Sequence, residues 1–423
     1  MSPVVLDQLE VPDYDLGLRG KLLHPKKLAS GGGLRFCTIV HGLSVCDEVT
    51  DTRASNAATG YPDAAVLLDE STRVTMPWRD GAQAVIGDLV DADGCWLPVS
   101  ARGHVARLQE EYADLGLTPV LGFEFELWLH DVADGRVDRP LGRTENAYSL
   151  SRGDAVHRLA SEFATRMDQI GIVVEAFHSE LGPGFFEFAL EPQPALIAAD
   201  RAARARQHLR DLAAQRGLHA TFMAKPHAGK SGAGGHVHCS LADGGGNVFS
   251  PAAGELSVSG AAFVAGLVET MGDLSLMLNP NVNSFKRLDK EMFTPESATW
   301  GIDDRGTACR VVVDTVAGAR VEHRRPGADA NPYLVAAAVL AGGLVGLREE
   351  LALPAAGPDG PSLPSTLASA IGRFEASPRP TTLFGEEFVQ AFSATRRTEL
   401  AAFERWLQTT ITAWETDRYR EHL

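Results

Sequence analysis

The octapeptide GFEFELWL, residues 122–129, constrains this chain more than any other stretch. Side chains two apart on a strand share a face. Glu124 and Glu126 therefore point one way, while Phe123, Phe125 and Leu127 point the other. The aromatic face demands a core beneath it. The opposite face sets two carboxylates side by side, where they repel each other. Partial burial there is unfavourable unless a cation balances them. A fold that keeps this pattern must be a sheet covered on one side and charge-compensated on the other.

The same alternation recurs. His236 and His238 share a face in GGHVHCSL, and Glu322 and Arg324 share one in RVEHRRP. Glu180 and Glu187 bracket a Gly-Pro-Gly turn in HSELGPGFFEF, and Arg287, Arg305, Arg310, Arg320 and Arg324 are interleaved. Oxygen-rich ligand sets with an imidazole suit Mg²⁺ or Mn²⁺. Guanidinium groups grip phosphate and carboxylate bidentately. Hard divalent cations beside arginines imply phosphoryl transfer from a nucleotide. Each element alone has a plainer reading: E-x-E as a solvated strand face, H-x-H as an ordinary strand pair, Glu before Gly-Pro-Gly as a turn. Their joint occurrence in one strand-rich region carries the metal reading.

Composition narrows the partners. The 423 residues carry a formal charge of −16, against the basic stripe of a nucleic-acid binder. The five cysteines include no CxxC pair, which fits neither a disulfide framework nor a zinc ribbon and suits a reducing cytosol. The N-terminus, MSPVVLDQLEVPDYD, has no signal-peptide pattern. The longest charge-free apolar stretch, Pro332–Leu347, is shorter than the ~20 residues needed to span a bilayer, so a buried helix is expected there. The expectation is a cytoplasmic protein without nucleic-acid or membrane partners.

Short strand-like runs begin at Leu34, Ala64 and Ala82, with a loop near residues 47–62. After Pro98 the pattern changes to helices over His104–Leu115, Ala155–Ile170, Ala195–Arg216, Ser259–Met277 and Ala330–Leu347. Strands are expected at Thr118–Leu129, Ile172–Phe177, His219–Ala224, His236–Leu241, Cys309–Val313 and Arg320–Arg324, and helices over the last part of the chain. The fold class is α+β: a small β domain over residues 1–99 and a larger strand-cored domain over 100–423.

Three superficial motifs fail on context. Ala224–Ser231 fits a loose phosphate loop, yet a Gly-rich stretch and a strand follow it instead of a helix. The H-x-H lacks the following Glu of a cupin. Cys239 and Ser240 have no nucleophile-elbow pattern around them.

Six stretches in order, GFEFELWL, HSELGPGFFEF, KPHAGKSGAGGHVHCSL, NPNVNSFKRL, WGIDDRGTACRV and RVEHRRPGADANPYLVAAAVLAGGL, resemble the glutamine synthetase superfamily over nearly the whole chain. DLGLRGK and GYPDAAVLLDESTRVTMPW resemble its bacterial branch that joins glutamate to organic amines, such as polyamines or ethanolamine. The resemblance implies a β-grasp N-terminal domain and a catalytic domain with a curved antiparallel sheet flanked by helices. It implies assembly into a ring, a dodecamer, with active sites between subunits. It further implies two or three Mg²⁺ or Mn²⁺ ions, one held by Glu126, Glu180 and Glu187, another by Glu124, His236 and Glu322. Arg287 would bind the glutamate α-carboxylate, Arg324 the γ-carboxylate and transferring phosphoryl, and Ser231 and Gly232 would lie near the substrate amino group. Arg305 and Arg310 would hold ATP phosphates, with Glu175, His238, Ser240 and Arg320 around the nucleoside. The implied reaction phosphorylates the γ-carboxylate with ATP and lets an amine displace phosphate.

Departures from the family pattern bear on the substrate. The loop Glu that helps to deprotonate ammonium falls on Phe293 by counting from Arg287, with Glu291 and Glu296 nearby; Glu291 is the alternative catalytic group. The neighbouring subunit's Asp has only Asp47 or Asp51 as candidates. Ser231, Phe185 and Asp304 stand where Asn, Gln and Asn are expected, and LREELALPAAGPDGPSLP lacks the adenylylated Tyr. These changes favour a larger, partly apolar amine over ammonium. The competing expectations are an ordinary glutamine synthetase and a non-catalytic scaffold or sensor.

Overall fold

The computed structural model describes residues 3–30, 32–142, 146–151, 153–289 and 292–422. Residues 7–90 form a five-stranded sheet. Its lateral order is Leu18–Leu23, Asp7–Pro12, Ala82–Val90, Asp63–Met76 and Arg35–Cys37. The first and last strands in sequence lie side by side in parallel at its centre, with antiparallel partners outside, as in a β-grasp. The opening hairpin was not legible in the sequence reading. It is pinned by Asp13, whose carboxylate accepts from the Leu16 and Gly17 N–H groups at 2.9 and 2.7 Å. The run from Leu34 is a strand only over Arg35–Cys37. Thr38 then gives its N–H and hydroxyl to the Pro62 carbonyl, and a 3-10 turn follows.

An eleven-stranded sheet forms the second layer. Its main path runs Trp300–Ile302, Cys309–Val312, Arg320–His323, Gly235–Asp243, Thr118–Ala133, Phe185–Leu190 and Val174–Ser179. The pairings are antiparallel except at one edge, where Trp300–Ile302 runs parallel to Cys309–Val312. The central strand behaves as its alternation requires. Phe123, Phe125 and Leu127 are at most 2% exposed, with Phe123 and Phe125 stacked at 5.8 Å between ring centres. Helix Ala195–Gln215 covers this face. Its run of buried alanines brings its backbone close to the sheet, and Arg206 lays its guanidinium over the Phe125 and Phe222 rings.

Pro332–Arg348 is a buried helix, as the apolar run predicts. It packs on helix Val258–Thr270 at glycine contacts: a Cβ on Gly266 would lie 2.1 Å from the Gly342 carbonyl oxygen. Among the described residues no helix is long and apolar enough to cross a membrane. The helix expected over Ser259–Met277 breaks after Thr270 and resumes at Ser275–Leu278. Gly272 lies in the break. A side chain there would strike the Arg373 guanidinium, which donates to Asp273 at 2.9 Å.

Candidate active site

The register of the large sheet assembles the charged face. His236 lies opposite Glu124, His238 opposite Glu322, and Glu322 opposite Arg310. On the other side Glu126 faces Glu187, and Glu187 faces His178. Opposed residues on one face stand roughly 5 Å apart at Cβ, so these eight strand positions converge without any loop having to place them. Glu180 joins from the residue just past its strand, its N–H bonded to the Phe185 carbonyl at 2.8 Å across the Gly-Pro-Gly turn.

Around this floor lies a cavity of about 560 Å³. Of the residues singled out from sequence, it is lined by Glu124, Glu126, Glu180, Glu187, His236, His238, Glu322, Ser231, Gly232, Arg287, Phe293, Arg305, Arg310, Arg320 and Arg324. Glu175 and Ser240 do not reach it. They line an adjoining cavity of about 490 Å³ that shares Glu124, His238 and Arg320 with the first. Glu291 lies outside the described residues.

Several neighbouring groups sit elsewhere. Glu296 lines a separate small recess with Phe293 and Thr294. Asp47 pairs with Arg19 at 3.0 Å, and Asp51 accepts from the Tyr61 hydroxyl at 2.8 Å. Neither lines this chain's own cavity. Phe185, by contrast, does line the cavity and stacks on Trp128 at 4.8 Å, so an aromatic wall fills the place where a polar amide was expected. Asp304 turns to its own loop and accepts from the Gly306 N–H.

Among the described residues, three groups of possible ligand atoms approach closely: Glu124, His238 and Glu322; Glu124, Glu187 and His236; and His178, Glu180 and Glu187. Glu126 instead accepts a short hydrogen bond from the Gly234 N–H, and His178 stands nearer to Glu187, at 3.2 Å. Sequence reading missed His178, although it alternates with Glu180 in FHSE. It also missed Tyr148, whose hydroxyl meets Glu180 and whose ring is edge-on to His178 at 5.0 Å. No local pattern announces Tyr148.

The charge balance explains what this face needs. Burial first, then Glu124, Glu126 and Glu180 push the Glu187 carboxyl up to about 10. Burial and Glu126 push Glu180 up to about 7. Burial also acts on Glu124, but hydrogen bonds from His236 and His238 outweigh it and hold that carboxyl well below its ordinary range. Glu322 behaves likewise, held at about 2 by His236 and Arg324 against burial. Glu322 is the hub of the cationic side, bonded to Arg324 and, at 2.9 Å, to Arg310. Carboxylates that must stay protonated for lack of a counter-charge fit a divalent cation, and all donors are hard oxygens or imidazoles.

Arginines form the opposite wall. Arg287 is 3% exposed, and burial lowers its guanidinium to about 10. Its terminal nitrogens donate to the Arg325 and Arg324 carbonyls at 3.1 and 3.3 Å. The Nε groups of Arg287 and Arg324 are buried without a partner. Orphaned charged donors beside a carboxylate cluster are an anion-binding arrangement. Gly232 keeps the approach open, because a Cβ there would lie 2.5 Å from Cγ of Arg287.

Comparison with known proteins agrees with this geometry. Residues 98–419 match the family described as glutamine synthetase, catalytic domain. The chain is 33% identical to the glutamate–isopropylamine ligase of a Pseudomonas species, covering 97% of this chain and 94% of that protein. It is 34% identical to the gamma-glutamylputrescine synthetase PuuA of Escherichia coli K12, covering 92% and 86%. A solved structure described as a novel glutamine synthase homolog superposes with a TM-score of 0.85 at 25% identity, over 99% of this chain and 98% of that one. With the family's charged cavity in place and matches of this extent, the chain belongs to the glutamine synthetase family and is a carbon–nitrogen ligase of that family, whose members use ATP and divalent metals.

Proposed function

We propose that the protein couples the γ-carboxylate of glutamate to an organic amine at the expense of ATP. The observation that carries this reading is the cavity itself. Carboxylates short of cations face buried guanidinium donors short of anions, and among the described residues Phe293 stands at the rim where a carboxylate is expected for ammonium. The names of the two ligases above support the amine class. Glu124, His236 and Glu322 would hold one Mg²⁺ or Mn²⁺ and Glu126, Glu180 and Glu187 another, with His178 within reach of the second set. Bound there, the cations would neutralise charge on the transferring phosphoryl group.

Arg287 is read as the α-carboxylate clamp, Arg324 as the contact to the γ-carboxylate, and Ser231 and Gly232 as neighbours of the amino group. Arg305 and Arg310 face the ATP phosphates, while Glu175, His238, Ser240 and Arg320 surround the nucleoside. Residues 1–99 and 100–423 are read as separate domains, and ring assembly follows from the family resemblance.

The test is phosphate release with glutamate, ATP and Mn²⁺ against ammonium and a series of organic amines, with the γ-glutamyl amide identified by mass. Organic amines should exceed ammonium in kcat/KM; ammonium as the best acceptor would refute the reading. Phe293→Glu should shift preference toward ammonium by about tenfold, since it returns a carboxylate to the rim. An unchanged ratio would remove Phe293 from the acceptor pocket. Gly232→Ala should raise the KM for glutamate about tenfold with a smaller change in kcat, because the new Cβ displaces Arg287. Steady-state kinetics with varied glutamate checks this.

A further inference from the structure

A second cavity, of about 530 Å³, opens between the small sheet and helix Ala195–Gln215. Its walls come from strands Asp7–Pro12 and Leu18–Leu23, from that helix and from strand Leu218–Thr221. None of its lining residues lines the catalytic cavity or the one adjoining it.

Its charges divide into paired and unpaired groups. Two carboxylates line it, and both are already met by a cation: Glu10 by Arg204 at 2.7 Å, and Asp211 by Arg79 at 2.6 Å. Arg19 is taken up by Asp13 and Asp47, at 2.9 and 3.0 Å. Arg206, Arg210 and Lys21 remain, and among the described residues none of them has an ion-pair partner. Lys21 gives its ammonium to the Arg35 carbonyl at 3.1 Å and lies over the Phe36 ring. The cavity thus holds three cations in excess of its anions.

Arg206 is the costly one. It is 8% exposed, its Nη1 donates to the Ala330 carbonyl at 2.6 Å, and its Nε is buried without a partner. Its guanidinium rests against the Phe125 and Phe222 rings, 5.4 and 5.0 Å from their centres. Ring faces attract a cation but do not neutralise it. Burial, with the Arg210 charge adding to it and Asp329 opposing it, lowers this guanidinium to about 10. A buried charge without a counter-ion is unfavourable until a partner of opposite sign arrives. Leu9, Leu16, Leu18 and Leu218 make the rest of the wall apolar, and the volume exceeds what a bare inorganic ion fills.

We propose that this cavity binds a small dianion on a short carbon skeleton, a dicarboxylate or a phosphate monoester, gripped by Arg206, Arg210 and Lys21. Guanidinium forks suit both anionic groups, and the leucines take the carbon chain. The test is calorimetric titration of succinate and of glycerol 3-phosphate into the full-length, Mg²⁺-loaded protein, with sodium chloride at equal ionic strength as the control. At least one of the two should bind saturably. Saturation by succinate alone identifies a dicarboxylate site, and by glycerol 3-phosphate alone a phosphate-monoester site. Arg206→Met, which keeps the apolar stem, and Arg210→Glu should each weaken binding by about tenfold or more. Arg287→Ala, on the wall of the catalytic cavity, should leave it unchanged. Arg210 and Lys21 are exposed, so Arg210→Glu and Lys21→Glu decide the matter if Arg206→Met misfolds. No saturable binding of either anion overturns the inference. So does binding that is lost in Arg287→Ala and kept in Arg210→Glu, because the anion then sits among the catalytic arginines. Neither result touches the ligase reading, which phosphate release judges separately.

Discussion

Glu187→Gln should abolish turnover, lowering kcat by about 10³-fold or more, and at the same time raise the melting temperature of the metal-free protein. The first effect follows from the donor set. Among the described residues Glu187 belongs to two of the three close ligand groups, so its loss would weaken both proposed cation positions and the electrostatic stabilisation of the phosphoryl group. The second follows from the charge imbalance. Burial and the Glu124, Glu126 and Glu180 carboxylates raise Glu187 to about 10.

The sign of the pH dependence is fixed by that direction. A carboxyl raised in the folded state keeps a proton that the unfolded chain has already lost. Its contribution to stability is fully present below its ordinary value near 4.5 and is lost as pH rises toward about 10. Glu180 acts in the same sense up to about 7. Metal-free protein should therefore lose stability steadily from pH 5 to 9, and the glutamine variant should lose less. A gain of a few °C at pH 8 is the expected size for a chain this long. Melting curves in EDTA and in Mn²⁺ across that range decide it. Mn²⁺ should flatten the wild-type profile and do little for the variant. A variant with wild-type activity, or one less stable than wild type at pH 8 without metal, would contradict the assignment.

This trade of stability for function was partly legible in the sequence. Alternation in GFEFELWL places two carboxylates on one face whatever the surrounding fold, and the structure keeps them there. His236, His238, Glu322 and Arg310 were legible as types, but their neighbours across the sheet depend on register, which no local pattern fixes. Register is also why His178 went unnoticed: it becomes a candidate ligand only when Val174–Ser179 pairs with Phe185–Leu190 and sets it against Glu187. Tyr148 is further from reach, because a loop with no strand pattern carries it to Glu180. The opening hairpin was hidden for another reason. DQLEVP buries both faces at the sheet centre, so its polar residues obscure the alternation that marked the later strands.

Arg102 shows the remaining kind of invisibility and carries the largest expected effect on stability. It is 1% exposed and lies on helix Ala101–Ala113. Its guanidinium binds Asp200 at 2.8 and 2.9 Å, and Asp88 and Asp69 at 2.6 Å each. Asp69 and Asp88 belong to the five-stranded sheet, Asp200 to helix Ala195–Gln215, and Asp200 also accepts from the Tyr333 hydroxyl at 2.8 Å. One cation thus joins the small sheet to helices of the larger layer, and Arg204 with Glu10 repeats the device nearby at 2.7 Å. Even with Arg102 in place, burial raises Asp88 to about 6.

Arg102→Ala leaves the buried Asp88 and Asp200 carboxylates facing each other, with the partly exposed Asp69 beside them, and removing one partner of such a buried group costs about 3–5 kcal/mol. Arg102→Lys should recover only part, since one ammonium cannot reproduce the planar fork that holds three partners. Adding Asp88→Asn to Arg102→Ala should be less damaging than the sum of the two single changes, because the second removes a charge that the first has stranded. Denaturant unfolding at one fixed protein concentration measures all four variants on the same scale. A loss under 1 kcal/mol for Arg102→Ala would mean that water enters the seam and screens the aspartates. That outcome would leave the orientation of the small sheet to apolar packing and the Arg204 pair.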